Sequence, residues 1–205
     1  MIISVDFLNH LHSIYNKNND LSENVKRIFK EYNCSNIYEH SVRVAHMAKK
    51  LAVRFRANEE SAYIAALLHD IGGIVPNGKR IEIANILKIP LFPEEIEFPL
   101  IIHQKISKVI AEKVFLISDH SILNAIECHT TLKSNPSMLD KIVFISDKIE
   151  WDQKGSPPYI NSLIEALDVS IDCASNVYIK FLMENKNNLK VIHPWLSDSY
   201  NYFKK

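Results

Sequence analysis

Apolar residues recur at three- and four-residue intervals through most of the chain. From Ile37 to Phe55 the positions Ile37, Val44, Met47, Ala48, Leu51 and Phe55 follow this spacing, while Arg43, Lys49, Lys50 and Arg54 fall largely on other faces. The segment therefore reads as an amphipathic helix. Asn58 precedes Glu59, Glu60 and the run SAYIAALLHDI, an N-cap followed by an acidic first turn, and this second helix is expected to stop at Gly72-Gly73. After a polar turn at Pro76-Asn77-Gly78, a short helix is predicted from about Arg80 to Lys88, then a connector through Pro90 and Pro93, where helix geometry is hard to continue. Further helices are predicted from Phe98-Pro99 through LIIHQKISKVIAEKVF, from Asp119 through SILNAIECHT and from Pro136 through SMLDKIVFISDKIEW. Gly155-Ser156-Pro157-Pro158 breaks the pattern, and one long helix is expected from about Tyr159 to Glu184, before Pro194 and a short aromatic end.

Only four glycines occur in 205 residues, too few for the tight hairpin turns of an all-β chain, so the expected class is all-α. The length suits one domain of ordinary size. Its core is placed at about 36–151, with N-terminal helices in 1–35 and C-terminal helices in 159–205 packed on it; Asn16 to Asp20 reads as a loop. Apolar residues make up 47% and charged ones 23%, a balance that excludes disorder from end to end. The 24 basic residues are matched by 24 acidic ones, so no basic field points to a nucleic-acid partner. Cys34, Cys128 and Cys173 are scattered and form no CxxC pair, which argues against a disulfide framework and a thiolate metal site. The first twenty-one residues lack a basic n-region, and nowhere do eighteen apolar residues run together. A cytoplasmic protein with no membrane partner is expected, and a homodimer is compatible with this reading.

Several of the predicted helices carry a polar group in an apolar setting. His40 lies on the stripe that continues through Val44, Met47 and Leu51. His69 and Asp70 close AALLHDI, His103 follows Leu100-Ile101-Ile102, His129 ends ILNAIECHTT, and Asp147 sits within IVFISDKIEW. Taken singly, each histidine could be a core residue satisfied by a backbone carbonyl, and the His69-Asp70 pair could cap a helix. Together they are harder to explain, because an unpaired buried polar group costs roughly 1–3 kcal/mol. A shared metal centre removes that cost at every position. Arg43, one turn after His40, can reach the rim of such a site, and Thr130, Thr131, Lys133 and Lys148 adjoin the last two ligand positions as candidate substrate contacts. His10, His12, His46, His120 and His193 fall outside the pattern, and Cys128 reads as a small core residue.

The order His40, His69-Asp70, His103, His129, Asp147 resembles the HD-domain metal-dependent phosphohydrolase superfamily in its two-metal form, from about Asn36 to Trp151. The stretches YEHSVRVAHMAKKLA, AALLHDIG, IIHQKI, AIECHTTL and ISDKIE look most like the YqeK-like group, whose members are symmetrical bis(5′-nucleosyl)-tetraphosphatases, or diadenosine tetraphosphate hydrolases. The resemblance implies a helical bundle with one divalent metal on His40, His69, Asp70 and Asp147, and a second on His103 and His129 with Asp70 bridging. It implies iron first, with manganese, magnesium, nickel or cobalt as superfamily alternatives, and imidazole-rich sites suit such transition metals better than calcium. The implied reaction is hydrolysis of a dinucleoside tetraphosphate to two nucleoside diphosphates by a dinuclear-metal hydroxide. Asp70, His69 and Arg43 are the implied catalytic residues. The chain departs from the group's pattern at Gly73, at Gln104-Lys105-Ile106-Ser107 and at Gln153, positions where substrate is expected to be read. An HD-type phosphomonoesterase or phosphodiesterase acting on another nucleotide stays open, as does a non-catalytic metal-containing regulatory domain. An interaction protein using HPWLSDSYNYF has no motif behind it.

Overall fold

With glycine so scarce, the chain ends its helices by other means. In the computed structural model, which describes residues 7–204, Asn33, Arg56 and Lys88 adopt left-handed backbone (φ 57°, 55° and 55°) just past a helix end. At Arg56 the reversal is closed by the amides of Arg56 and Ala57, which donate to the carbonyls of Val53 and Ala52, and the same paired bonds recur at Asn33 and Lys88. Such endings satisfy carbonyls that a helix leaves orphaned.

Twelve α-helices and no strands are found among the described residues, as the all-α expectation requires. They are α1 Phe7–Ile14, α2 Leu21–Glu31, α3 Ser35–Arg54, α4 Glu59–Leu68, α5 Arg80–Ile86, α6 Pro93–Glu97, α7 His103–Lys113, α8 His120–Cys128, α9 Met138–Ile149, α10 Ile160–Val169, α11 Ile171–Glu184 and α12 Pro194–Phe203. Residues 1–6, part of the N-terminal stretch read for targeting signals, and residue 205 lie outside the described residues. Among the described residues no helix is long and apolar enough to cross a membrane.

The centre is built by α3, α4, α8 and α9, with α7 against α8 and the α10–α11 pair against α9 through α11. Small residues make the α3–α4 contact close: Ala45, Ala48 and Ala52 on one helix, Ala62, Ala65 and Ala66 on the other, are all fully buried. One hydrophobic cluster runs from Phe7 to Leu196, with Phe29 and Phe144 among its largest buried side chains. Each such side chain contributes about 1.5–3 kcal/mol relative to being left in water.

Three boundaries differ from the sequence reading. Helix α4 ends at Leu68, before the glycines, and Gly72 and Gly73 lie in a 3-10 turn, Ile71–Ile74. Pro93 does not merely interrupt; it occupies the first turn of α6, where its missing N–H costs nothing, and α7 is preceded by a separate 3-10 turn, Pro99–Ile102. The long helix expected from Tyr159 to Glu184 is two helices. Ser170 is extended (φ −167°, ψ 162°) and its hydroxyl accepts from the Cys173 amide, so a serine N-cap starts α11 where no glycine or proline warned of a break.

Candidate metal centre

The candidate ligands are placed by helix ends. His69 and His129 follow the last residues of α4 and α8, His103 opens α7, His40 lies within α3, and Asp147 sits in the last turn of α9. Helix α4 stops at Leu68; His69 still has helical backbone (φ −55°, ψ −38°) while Asp70 departs from it (φ −106°, ψ 10°), and both side chains turn toward one point, which two adjacent residues about 100° apart on a continuing helix could not readily do.

Gly72 fixes that turn against α7. Its amide donates to Ser107 Oγ at 2.8 Å, and a Cβ at this position would stand 2.4 Å from the His103 carbonyl oxygen and 2.8 Å from the Ser107 nitrogen. Only glycine lets the backbone approach so closely. Asp70 is thereby brought to His103.

The six sequence-predicted ligands converge. Asp70 Oδ2 lies 3.5 Å from His69 Nε2 and 4.0 Å from His40 Nε2. Its Oδ1 lies 3.1 Å from His103 Nε2 and 3.3 Å from His129 Nε2. Asp147 Oδ1 stands 3.1 Å from His40 Nε2 and 3.6 Å from His69 Nε2, while Asp147 Oδ2 accepts from the neighbouring Lys148 ammonium. Asp70 thus divides its oxygens between two pairs of imidazoles.

Three of the imidazoles are oriented in the same way. The Nδ1 atoms of His69, His103 and His129 meet the carbonyls of Ala66, Leu100 and Ile126, three residues earlier, at 2.6, 2.6 and 2.8 Å. A carbonyl only accepts, so each Nδ1 carries a proton and each ring turns its Nε2 into the cluster. The expected carbonyl partner exists, but it satisfies only one nitrogen of each ring. His69 Nε2 is buried without a hydrogen-bond partner, and His103 Nε2 faces His129 Nε2 at 3.0 Å, a contact that is satisfied only if one ring carries a second proton. A donor set with this orientation fits cations better than it fits itself. His69, Asp70 and His129, and likewise His40, His69 and Asp147, present ligand atoms within 4.8 Å of one another. His40 is the exception in orientation, since its buried Nδ1 has no partner.

Charge in the cluster is distributed unevenly. Burial opposes protonation of His69, but Asp70 and Asp147 outweigh it and lift its pKa to about 9. Burial lowers His129 to about 4, with His69 and His103 adding repulsion that Asp70 offsets only in part. Burial works against both carboxylates as well, yet His69 beside Asp70 and Lys148 beside Asp147 hold them well below the usual range. Positive charge is needed here, and imidazole protons supply it incompletely.

Two cavities open onto the cluster and share His40, Asp70, His103 and Asp152 as lining. The first, of 440 Å³, is walled by Arg43, Arg80, Glu39 and Gly73. The second, of 260 Å³, has Thr130, Lys148 and Gln153 with an aromatic side of Trp151, Tyr159 and Tyr178, the last two carried by the segment entering α10 and by α11. Arg43 is half exposed and faces Glu150 at 3.6 Å. Thr130 Oγ1 is 3.3 Å from His103 Nε2.

Two of the sequence-predicted contacts are not brought to the cluster. Thr131 is buried and receives a hydrogen bond from Gln104 Nε2 at 3.4 Å, and Lys133 lines neither cavity. Gln104 is itself fully buried, its Oε1 accepting from the Thr130 amide, so this departure braces the loop after His129 and is not exposed to a ligand. Lys105, Ile106 and Ser107 are buried as well. Gly73 and Gln153 do line the cavities. Arg80 was missed from sequence, because a basic residue following Pro-Asn-Gly-Lys looks solvated; it is buried.

Residues 37–152 match the model of the HD domain. The chain belongs to the HD-domain family. Matched residues 37–152 of this HD-domain chain include all six converging side chains. It is 49% identical over 142 residues to a Lactococcus lactis subsp. cremoris protein described by its position in the pepC 5′ region, covering 69% of this chain and 72% of that one. It is 32% identical over 129 residues to a symmetrical bis(5′-nucleosyl)-tetraphosphatase of Staphylococcus aureus, covering 62% of this chain and 66% of that protein. A crystal structure of an HD superfamily hydrolase from Clostridium acetobutylicum, described as involved in NAD metabolism, superposes with a TM-score of 0.77 at 30% identity, over 89% of this chain and 96% of that one.

Proposed function

We propose that this HD-domain hydrolase cleaves a nucleotide phosphoanhydride with two divalent metals, and that a dinucleoside tetraphosphate, split symmetrically into two nucleoside diphosphates, is its leading substrate. The observation that carries the reading is the division of Asp70 between two imidazole pairs, with two cavities that both have it as lining. His40, His69, Asp70 and Asp147 would hold one metal and His103 and His129 the other, with Asp70 bridging. Iron suits this nitrogen-rich set, as do manganese and cobalt. A divalent pair, when bound, supplies activation of a water for attack on phosphorus and neutralisation of charge on the phosphoryl oxygens.

The chain's own residues orient and select. The carbonyls of Ala66, Leu100 and Ile126 hold the Nδ1 protons of three imidazoles and aim their Nε2 atoms inward. Lys148, held charged by Asp147, and Thr130 border the second cavity, where they can meet phosphoryl oxygens. Trp151, Tyr159 and Tyr178 offer faces and edges against which a nucleobase can pack. A substrate with a nucleoside at each end would use both cavities, and the Staphylococcus aureus relative's described activity supports this choice.

The test is a screen of anaerobically purified, metal-analysed protein against dinucleoside polyphosphates, mononucleotides and cyclic nucleotides. Two equal diphosphate products from a dinucleoside tetraphosphate are expected. Preferential release of inorganic phosphate would assign a phosphomonoesterase instead, and no turnover with iron or manganese on any of these compounds would leave a non-catalytic domain.

A further inference from the structure

Arg80, the first residue of α5, is only 7% exposed, yet no carboxylate lies within ion-pair distance of it among the described residues. Its Nε donates to the Val75 carbonyl at 3.1 Å and its Nη1 to the Leu100 carbonyl. A guanidinium carries five N–H donors in a fixed fork. The two carbonyls engage Nε and Nη1, Nη2 has no hydrogen-bond partner among the described residues, and the side chain lines the 440 Å³ cavity together with Asp70, His40 and His103.

Burying a cation without a counter-charge is costly, and the cost falls when an anion arrives. The other charged groups of this cavity do not answer it. Arg43 is already turned to Glu150, Asp70 is surrounded by imidazoles, and Glu39 and Asp152 line the wall without pairing with Arg80. Burial lowers the Arg80 pKa, and Asp70 is the carboxylate that opposes this. With two cations on the histidine cluster, Asp70 would be neutralised from its other side and Arg80 would be left as an uncompensated positive group facing the cavity.

We propose that Arg80 is a phosphate-binding residue, its remaining Nη N–H groups holding non-bridging oxygens of a phosphoryl group in the 440 Å³ cavity beside the one attacked at the metals. This rests on the phosphohydrolase reading of the site and names the anion subsite within it. The fork matches two oxygens of one phosphate, which a lysine would hold only as a point charge. The arrangement also explains why Nε and Nη1 bond carbonyls: these fix the fork without neutralising it.

Leu100 complicates the test usefully, because its carbonyl accepts from both Arg80 Nη1 and His103 Nδ1. Arg80 could therefore be only a positioning residue for His103. Calorimetric titration of inorganic phosphate into manganese-loaded protein separates the two roles, with elemental analysis and the thermal midpoint measured beside it. Arg80→Gln is expected to weaken phosphate binding at least about tenfold while manganese content stays at the wild-type value. If phosphate affinity per loaded site is unchanged, whether or not manganese content falls, the proposal is overturned. Should Arg80→Gln not fold, Arg80→Lys decides: phosphate binding at least about threefold weaker at full metal content supports the fork, and wild-type affinity overturns it. Phosphate binding is read without turnover, so a wrong choice of nucleotide substrate would show in the screen and not here.

Discussion

Helix α7 contributes to two buried polar clusters, and they are built on opposite plans. His103 belongs to the histidine-aspartate cluster, and Lys105, two residues on, belongs to another. Lys105 Nζ donates to Glu95 Oε2 at 2.7 Å and to the Pro90 carbonyl at 2.9 Å, with its charge 4.5 Å from the centre of the Phe92 ring. Glu95, fully buried, also accepts from the Phe92 amide, and its other oxygen lies 3.4 Å from His193 Nε2. There the cation meets its carboxylate, and the two buried atoms left without a hydrogen bond, Glu95 Oε1 and His193 Nε2, face one another as a pair of complementary sign. In the first cluster imidazole nitrogen faces imidazole nitrogen. Burial and charge are alike in the two places; what separates a structural knot from a binding site is whether the polar atoms complete one another.

The largest effect should come from breaking the incomplete cluster. Asp70→Ala removes the only carboxylate shared by both imidazole pairs, and is expected to lower turnover by more than about 10³-fold and to reduce bound metal, measured by steady-state kinetics and elemental analysis. Near-normal turnover would end the two-metal assignment. Breaking the complete cluster should do the reverse. Lys105→Met leaves Glu95 without its cation, and a loss of about 3–5 kcal/mol in urea denaturation is expected, with the metal-to-protein ratio unchanged. A fall in metal content at full stability would erase the distinction.

Gly72→Ala strikes the joint between the His69-Asp70 turn and α7. The new Cβ meets backbone, not a yielding side chain, so a cost of about 1–3 kcal/mol is expected. Displaced His103 should also weaken metal binding by about 10–100-fold, visible in a chelator competition. The smallest effect concerns acid. Burial opposes charge on Glu95, but His193 and Lys105 hold its pKa below the ordinary 4.5. The stabilisation is present above pH 4.5 and is lost as the pH falls through the lower folded value. Stability measured by denaturation across that range should fall more steeply with acid for the native chain than for Glu95→Gln. Parallel curves would remove Glu95 from the account.

The two clusters were unequally legible. His40, His69, Asp70, His103, His129 and Asp147 each interrupt an apolar run, and a polar group in such a run is visible without coordinates. Glu95, Lys105 and His193 sit in polar or proline-rich sequence, so their burial follows only from how α6, α7 and α12 meet. Arg80 was hidden for the same reason: its carbonyl partners, Val75 and Leu100, belong to segments whose meeting no periodicity announces. Thr131 and Lys133 were misplaced because α8 has ended by then, and beyond a helix end spacing no longer predicts direction. Most helices were read correctly, whereas Ser170 shows that one side-chain cap can divide a segment that propensity would leave whole.

The aromatic wall of the second cavity has an origin different from that of the metal ligands. Tyr159 and Tyr178 lie outside residues 37–152, on the α10–α11 hairpin created by the break at Ser170. The hairpin nevertheless bears on a ligand-carrying helix: α11 packs on α9, Tyr178 meets Phe144 edge to face, and the Tyr159 hydroxyl donates to the carbonyl of Lys148, the neighbour of Asp147. The hairpin is thus a buttress as well as a wall, and a chimera carrying a relative's hairpin would show in one experiment whether metal content and cavity lining travel together.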